Sequence, residues 1–87
     1  MPAERGEAQR RPVGSVARAT RLLDVLAASD TPLGVNELAR RIGVNASTAS
    51  RLLSTLQDAG LVMRTDSGPY RLGLKLVTLS DRVLSSL

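Results

Sequence analysis

Gly34-Val35-Asn36-Glu37-Leu38-Ala39-Arg40-Arg41-Ile42-Gly43-Val44-Asn45-Ala46-Ser47-Thr48-Ala49-Ser50-Arg51-Leu52-Leu53-Ser54-Thr55-Leu56-Gln57-Asp58-Ala59-Gly60 is the stretch that decides the fold. It reads as two short helices joined by a tight turn at Gly43-Val44. At the start of the first, Gly34 stands at the N-cap and Glu37 at the third helical position. That is a capping box weakened by the missing hydroxyl. Leu38, Ala39 and Ile42 face inward. Gly43 ends this helix, because a left-handed backbone costs glycine little. Asn45 is a good N-cap for the next one. Ala49, Leu52, Leu53 and Leu56 then recur with the i, i+3, i+4, i+7 spacing of a buried stripe, and Gly60 stops the helix. Opposite the stripe stand Ser47, Thr48, Ser50, Arg51 and Ser54. Short hydroxyls let a helix backbone approach base edges closely. An arginine among them can bond a guanine edge bidentately or clamp a phosphate. A merely solvated face would carry Glu and Lys, and this one has neither. The pair therefore suits a helix-turn-helix whose second member lies in the major groove of DNA.

Upstream, Ser15 is a natural N-cap. Val16, Ala19, Leu22, Leu23 and Leu26 follow at helical spacing, with Arg18, Arg21 and Asp24 on the other side. This helix is expected to end near Ser29, before Asp30-Thr31-Pro32. Residues 1–14 carry Glu4, Arg5, Glu7, Arg10 and Arg11 with Pro and Gly and no apolar period, the pattern of a disordered basic arm. Arg10 and Arg11 suit either a minor-groove arm or an idle tail. Downstream of Gly60 the period changes. Leu61–Thr65 and Tyr70–Leu72 read as two strands around the turn-rich Asp66-Ser67-Gly68-Pro69. Tyr70 and Leu72 are expected to face the core and Arg71 solvent. After Gly73 a last helix runs from about Leu74 to the end. The predicted fold is mainly α with a small β-hairpin: a winged helix-turn-helix with a three-helix core, a two-stranded wing and a C-terminal linker helix. Its divisions are an arm over 1–14, the winged helix over 15–73 and a linker or dimerisation helix over 74–87.

Composition excludes much else. The 87 residues hold one domain at most. With no Cys and no His, disulfides, thiolate or imidazole metal sites and His-based acid–base chemistry are out. There are no paired carboxylates and no phosphate-cradling Gly loop. No enzyme, no metal and no cofactor are therefore expected. The net charge is +4, and eleven of the twelve basic residues are Arg, which suggests a polyanionic partner. A single aromatic, Tyr70, argues against single-stranded nucleic acid, whose binders stack bases on several rings. No apolar run approaches the roughly 18 residues of a membrane span, and no signal region precedes the domain. A cytoplasmic location is the default expectation.

Together these pieces resemble the N-terminal DNA-binding domain of IclR-type bacterial transcription regulators. The resemblance runs from Ser15 to about Leu79. It rests on Ser15-Val16, Arg18-Ala19, Pro32-Leu33, Glu37-Leu38-Ala39, Gly43-Val44, Ser47-Thr48, Arg51-Leu52-Leu53, Thr55-Leu56, Gly60, Gly68 and Tyr70-Arg71-Leu72-Gly73. The family often has Pro then Lys where this chain has Asn45 and Ala46, and often a His or a similar polar residue where Ser50 stands. The resemblance implies that a small-molecule effector would act only through a C-terminal domain that this chain does not encode. The chain is thus expected to be the DNA-binding part of a longer regulator.

The expected double-stranded DNA contacts are Arg18, Arg40, Asn45, Ser47, Thr48, Ser50, Arg51, Ser54, Arg64 and Arg71. Arg40 and Arg41 close a helix, where cations also simply suit the dipole. Arg64 and Arg71 flank the wing, where charge also blocks unwanted strand pairing. Leu76, Leu79, Val83 and Leu87 have the 3–4 spacing of a packing seam. They are expected to join two copies in a homodimer, with packing back on the first helix as the alternative. The rival function is a winged-helix protein-interaction module in which the polar helix face is ordinary surface.

Overall fold

The computed structural model describes residues 14–87. The arm with Arg10 and Arg11 lies outside these residues, apart from Gly14. Helix α1 spans Gly14–Ala27 and buries Leu22 and Leu26. Its backbone is already helical at Gly14, so Ser15 sits inside the first turn and does not cap it. The helix also ends two residues before the expected Ser29. There the Ser29 hydroxyl donates to the Thr31 carbonyl at 2.6 Å and accepts from the Thr31 N–H at 3.2 Å. Such local side-chain bonds compete with helix continuation.

Helix α2 spans Val35–Ile42, with Gly34 as an extended N-cap that offers no side-chain bond. The expected capping box does not form. Glu37 Oε2 instead accepts from Arg40 Nη2 and Arg41 Nε, both at 2.6 Å. Two charge-assisted bonds outweigh one bond to a backbone N–H. Hydrogen bonds from Arg40 first and Arg41 second hold the Glu37 carboxyl down at about 2. Gly43 closes the helix with φ 77°, its N–H donating to the Ala39 carbonyl. Arg21 of α1 also serves this end, donating from Nη1 to the Ile42 carbonyl at 3.1 Å.

Helix α3 spans Ala46–Asp58. Gly60, at φ 80°, ends it. The Leu61 N–H then reaches the Leu56 carbonyl and the Gly60 N–H the Gln57 carbonyl, both at 2.9 Å, which is a Schellman closure. The core lies where the three helices meet: Leu22 and Leu26, Leu38 and Ile42, and Leu53 and Leu56, closed below by Val62 and Tyr70. Among the described residues no polar or charged side chain is buried.

Strands β1 (Val62–Arg64) and β2 (Tyr70–Leu72) pair antiparallel, with Val62 opposite Leu72 and Arg64 opposite Tyr70. Tyr70 is buried, Leu72 half-buried and Arg71 exposed, as expected. Leu33 adds a contact that the sequence pattern did not disclose. Its N–H and carbonyl bond the Tyr70 carbonyl and N–H at 2.9 and 2.7 Å. The wing is thereby stitched to the loop before α2.

Two glycines bring the hairpin ends together. Gly73 donates to the Leu61 carbonyl at 2.8 Å, and Lys75 donates to the Gly60 carbonyl at 3.1 Å. A Cβ on Gly73 would strike the Gly60 carbonyl oxygen and lie 2.9 Å from the Leu61 carbonyl carbon. Helix α4 (Lys75–Ser85) leaves from this junction with no buried residue. Leu76 is half-buried and Leu79 47% exposed; the helix stops at Ser85 short of the expected chain end, so Leu87 lies past it and is 95% exposed. The alternative in which this helix packs back on α1 is therefore not what the chain does. The core is already filled by the leucines of α1, α2 and α3.

Two predictions follow from these contacts. Gly73→Ala should lower stability by about 2–3 kcal/mol, because the obstructing atoms are backbone and cannot rotate away; urea denaturation measures it. The Glu37 carboxyl is depressed in the folded chain, so its contribution is present above the unfolded value of 4.5 and disappears as pH falls towards 2. The effect is small, because the ion pairs are exposed. Thermal melts between pH 4.5 and 2 should therefore fall slightly more steeply for the parent than for Glu37→Gln.

Candidate nucleic-acid interface

The inner face of α3 dictates its outer face. With Ala49 and Leu53 fully buried, the 3.6-residue period turns Ser47, Ser50, Arg51 and Ser54 outward. All four are exposed, and they repeat at i, i+3, i+4, i+7, so they form one stripe. No carboxylate interrupts it. Thr48 lies at its margin, half-buried. Asn45 caps the helix as expected: the Thr48 N–H donates to Asn45 Oδ1 at 2.9 Å, and the Ser47 hydroxyl donates to the same oxygen at 2.8 Å. The Thr55 hydroxyl turns back onto the Arg51 carbonyl at 3.2 Å, and the exposed Arg51 guanidinium has no intramolecular partner among the described residues.

The remaining expected cations divide into two kinds. Arg18 and Arg71 are exposed and unpaired among the described residues. Arg40 is also well exposed, with 72% of its side chain accessible, yet Glu37 holds one of its terminal nitrogens. Arg64 lies back on its own hairpin. Its Nε donates to the Gly68 carbonyl at 3.1 Å, and its guanidinium sits 5.4 Å from the centre of the Tyr70 ring. That is a cation–π distance. The tip beyond it is held by the Thr65 hydroxyl and N–H, both 2.8 Å from the Pro69 carbonyl.

Sequence reasoning missed the Glu37 pairing, although the i+3 and i+4 spacing to Arg40 and Arg41 signals it. It also missed the use of Arg21 across the helix pair, for which no local signal exists. Elsewhere, a shallow apolar cleft of about 280 Å³ opens between α1 and α3, lined by Val16, Ala19, Leu52 and Leu56. Among the described residues there is no cluster of metal-ligating side chains. No helix there is long and apolar enough to cross a membrane.

This geometry agrees with comparison to known proteins. Residues 15–66 match the IclR helix-turn-helix domain. The chain is 39% identical over 84 residues to the HTH-type transcriptional regulator Rv1719 of Mycobacterium tuberculosis, an alignment spanning 95% of this chain and 32% of that protein. It is 36% identical over 76 residues to the HTH-type transcriptional regulator XynR of Escherichia coli, covering 86% of this chain and 30% of that one. Among solved structures, the Agobacterium tumefaciens repressor BlcR superposes with a TM-score of 0.80 at 32% identity, over 86% of this chain and 30% of that chain. An IclR transcriptional regulator from Alicyclobacillus acidocaldarius gives 0.78 at 36% identity, over 84% and 30%. The chain thus spans about a third of the length of the relatives it matches. These relatives are transcription regulators, and nothing in them supports the protein-interaction alternative. The chain belongs to the IclR helix-turn-helix family, and its winged helix is the DNA-binding domain of a transcription regulator.

Proposed function

We propose that this domain reads operator DNA as a homodimer, with the outer stripe of α3 against base edges in the major groove. The carboxylate-free stripe Ser47, Ser50, Arg51 and Ser54, opposite a packed leucine stripe, is the observation that carries this reading. Arg51 is the base-reading residue, because its guanidinium has no partner within the described chain and presents a planar fork. Asn45 and Thr48 sit at the start of the same helix. Arg18, Arg40, Arg64 and Arg71 contact phosphates, with Arg18 and Arg71 the most available and Arg64 steadied by Tyr70. Phosphate contacts of this kind set register while base contacts set sequence.

Helix α4 supplies the dimer seam. Leu79 and Val83 are exposed apolar residues on α4 with no partner among the described residues, Leu76 continues their stripe, and Leu87, two residues past the end of the helix, is exposed as well. A second copy covers them; the exposed Val16 and the α1–α3 cleft it lines offer a further apolar surface. A two-fold dimer places two copies of α3 in major grooves about one helical turn, or a multiple of it, apart on a near-palindromic site. The complete regulator works in the cytoplasm without catalysis, and a small-molecule effector acts through a further domain.

Arg51→Ala should weaken binding to the preferred duplex by about 1–3 kcal/mol and relax preference at one base pair. Unchanged affinity and selectivity in a competition titration would contradict the assignment of α3. Arg71→Ala should act differently, weakening binding to every duplex and flattening the salt dependence by about one unit of slope. Leu79→Glu with Val83→Glu should give a folded monomer that binds a full site much more weakly. A parent chain that sediments as a monomer at high concentration, and also on DNA, would contradict the dimer.

A further inference from the structure

A serine hydroxyl is ordinarily ambiguous in a DNA groove, since it can donate one hydrogen bond and accept others. Ser47 is not ambiguous. Its proton is committed to Asn45 Oδ1 at 2.8 Å, and the direction of that bond is forced. Asn45 Oδ1 also accepts from the Thr48 N–H at 2.9 Å, so the atom facing Ser47 is the carbonyl oxygen, which carries no hydrogen. What Ser47 presents outward is therefore two lone pairs and no proton. The other exposed serines of the stripe, Ser50 and Ser54, have no such bond among the described residues and keep both options.

We propose that Asn45 makes Ser47 an acceptor-only reader, so that the residue selects bases carrying an amino group. This inference rests on the placement of α3 in the major groove. The amino groups displayed there are adenine N6 and cytosine N4. Guanine and thymine show an oxygen in the same region. An acceptor-only Ser47 bonds the first pair and meets the second oxygen to oxygen. It thus separates A or C from G or T at one position on the contacted strand, and at the symmetry-related position in a dimer. Asn45 acts through Ser47 and is a positioning residue. Its own outward group is the side-chain amide, which only donates.

The experiment starts from a pool of random duplexes enriched on the full 87-residue chain. Each base of the enriched site is then replaced in turn and the duplexes are compared by competition titration. For the parent we expect one position at which A and C are favoured over G and T by about tenfold. Ser47→Ala should flatten that position and leave the others unchanged. Asn45→Gly should flatten the same position, because it returns the proton to Ser47. Gly is tolerated at an N-cap nearly as well as Asn, so the helix is retained, and circular dichroism checks this. Asn45→Asp still accepts both bonds and should keep the preference while its charge weakens binding to all duplexes alike. A merely structural cap would move none of these base preferences. The proposal is overturned if Ser47→Ala leaves the amino preference intact. It is also overturned if Asn45→Gly folds and retains a preference that Ser47→Ala removes. Should Asn45→Gly not fold, the Ser47→Ala and Asn45→Asp profiles decide. A parent that enriches no duplex overturns the DNA reading itself, and this inference with it; a parent that enriches one separates the two failures.

Discussion

Every functional residue on α3 takes its direction from Ala49 and Leu53, which are fully buried, Leu53 within the core shared with α1 and α2. A helix has one rotational setting that satisfies such a stripe. Once Leu53 and Leu56 are seated against Leu22 and Leu38, the hydroxyl stripe can only face outward. Truncating a buried leucine of this kind costs roughly 2–5 kcal/mol, a large part of the stability of so small a domain. Folding and recognition are therefore one constraint on this helix. The same leucines that hold the core aim the reading surface.

Glycine does the corresponding work at the corners. Gly43 and Gly60 adopt left-handed conformations that let two helices stop abruptly. Gly73 serves a different need: the Gly60–Leu61 backbone passes so close that no side chain fits there. The wing consequently leaves α3 and returns to α4 through a single tight junction. Leu33 ties its inner strand to the loop ahead of α2, which makes the wing part of the core and not an appendage.

The helices, their turn and the hairpin were legible because each is specified locally. Leucine periodicity marks α1 and α3, Gly43 and Asn45 punctuate the turn, and Asp66-Ser67-Gly68-Pro69 marks the tip. Boundaries were less legible. Ser15 looked like a cap yet lies within a helix already turning at Gly14, and Ser29 was claimed by Thr31. What the sequence hid were contacts between distant residues: the Leu33–Tyr70 bridge, the Gly60–Gly73 approach and Arg21 on the Ile42 carbonyl. The site was legible as a set of residues but not as a set of bonds. Arg40 and Arg41 are the same residue type as Arg51; their spacing to Glu37 hints at a pairing, and the structure shows their guanidinium groups held by Glu37 while that of Arg51 has no partner among the described residues. Likewise, Ser47 and Ser50 are the same residue type on the same stripe, and only Asn45 distinguishes them.

The arginine surplus thus divides into arginines that build the fold and arginines left to meet a polyanion. Arg21 and Arg41 belong to the first kind, Arg18, Arg51 and Arg71 to the second, with Arg40 and Arg64 serving both ends. The central claim is that the outer stripe of α3 is the contact surface. The most direct measurement is amide chemical-shift mapping of the labelled chain during titration with a duplex it has enriched. The account predicts that the largest shifts fall on residues 45–54, with smaller ones at Arg64 and Arg71. Saturable binding that leaves residues 45–54 unmoved while shifting other surfaces would contradict it.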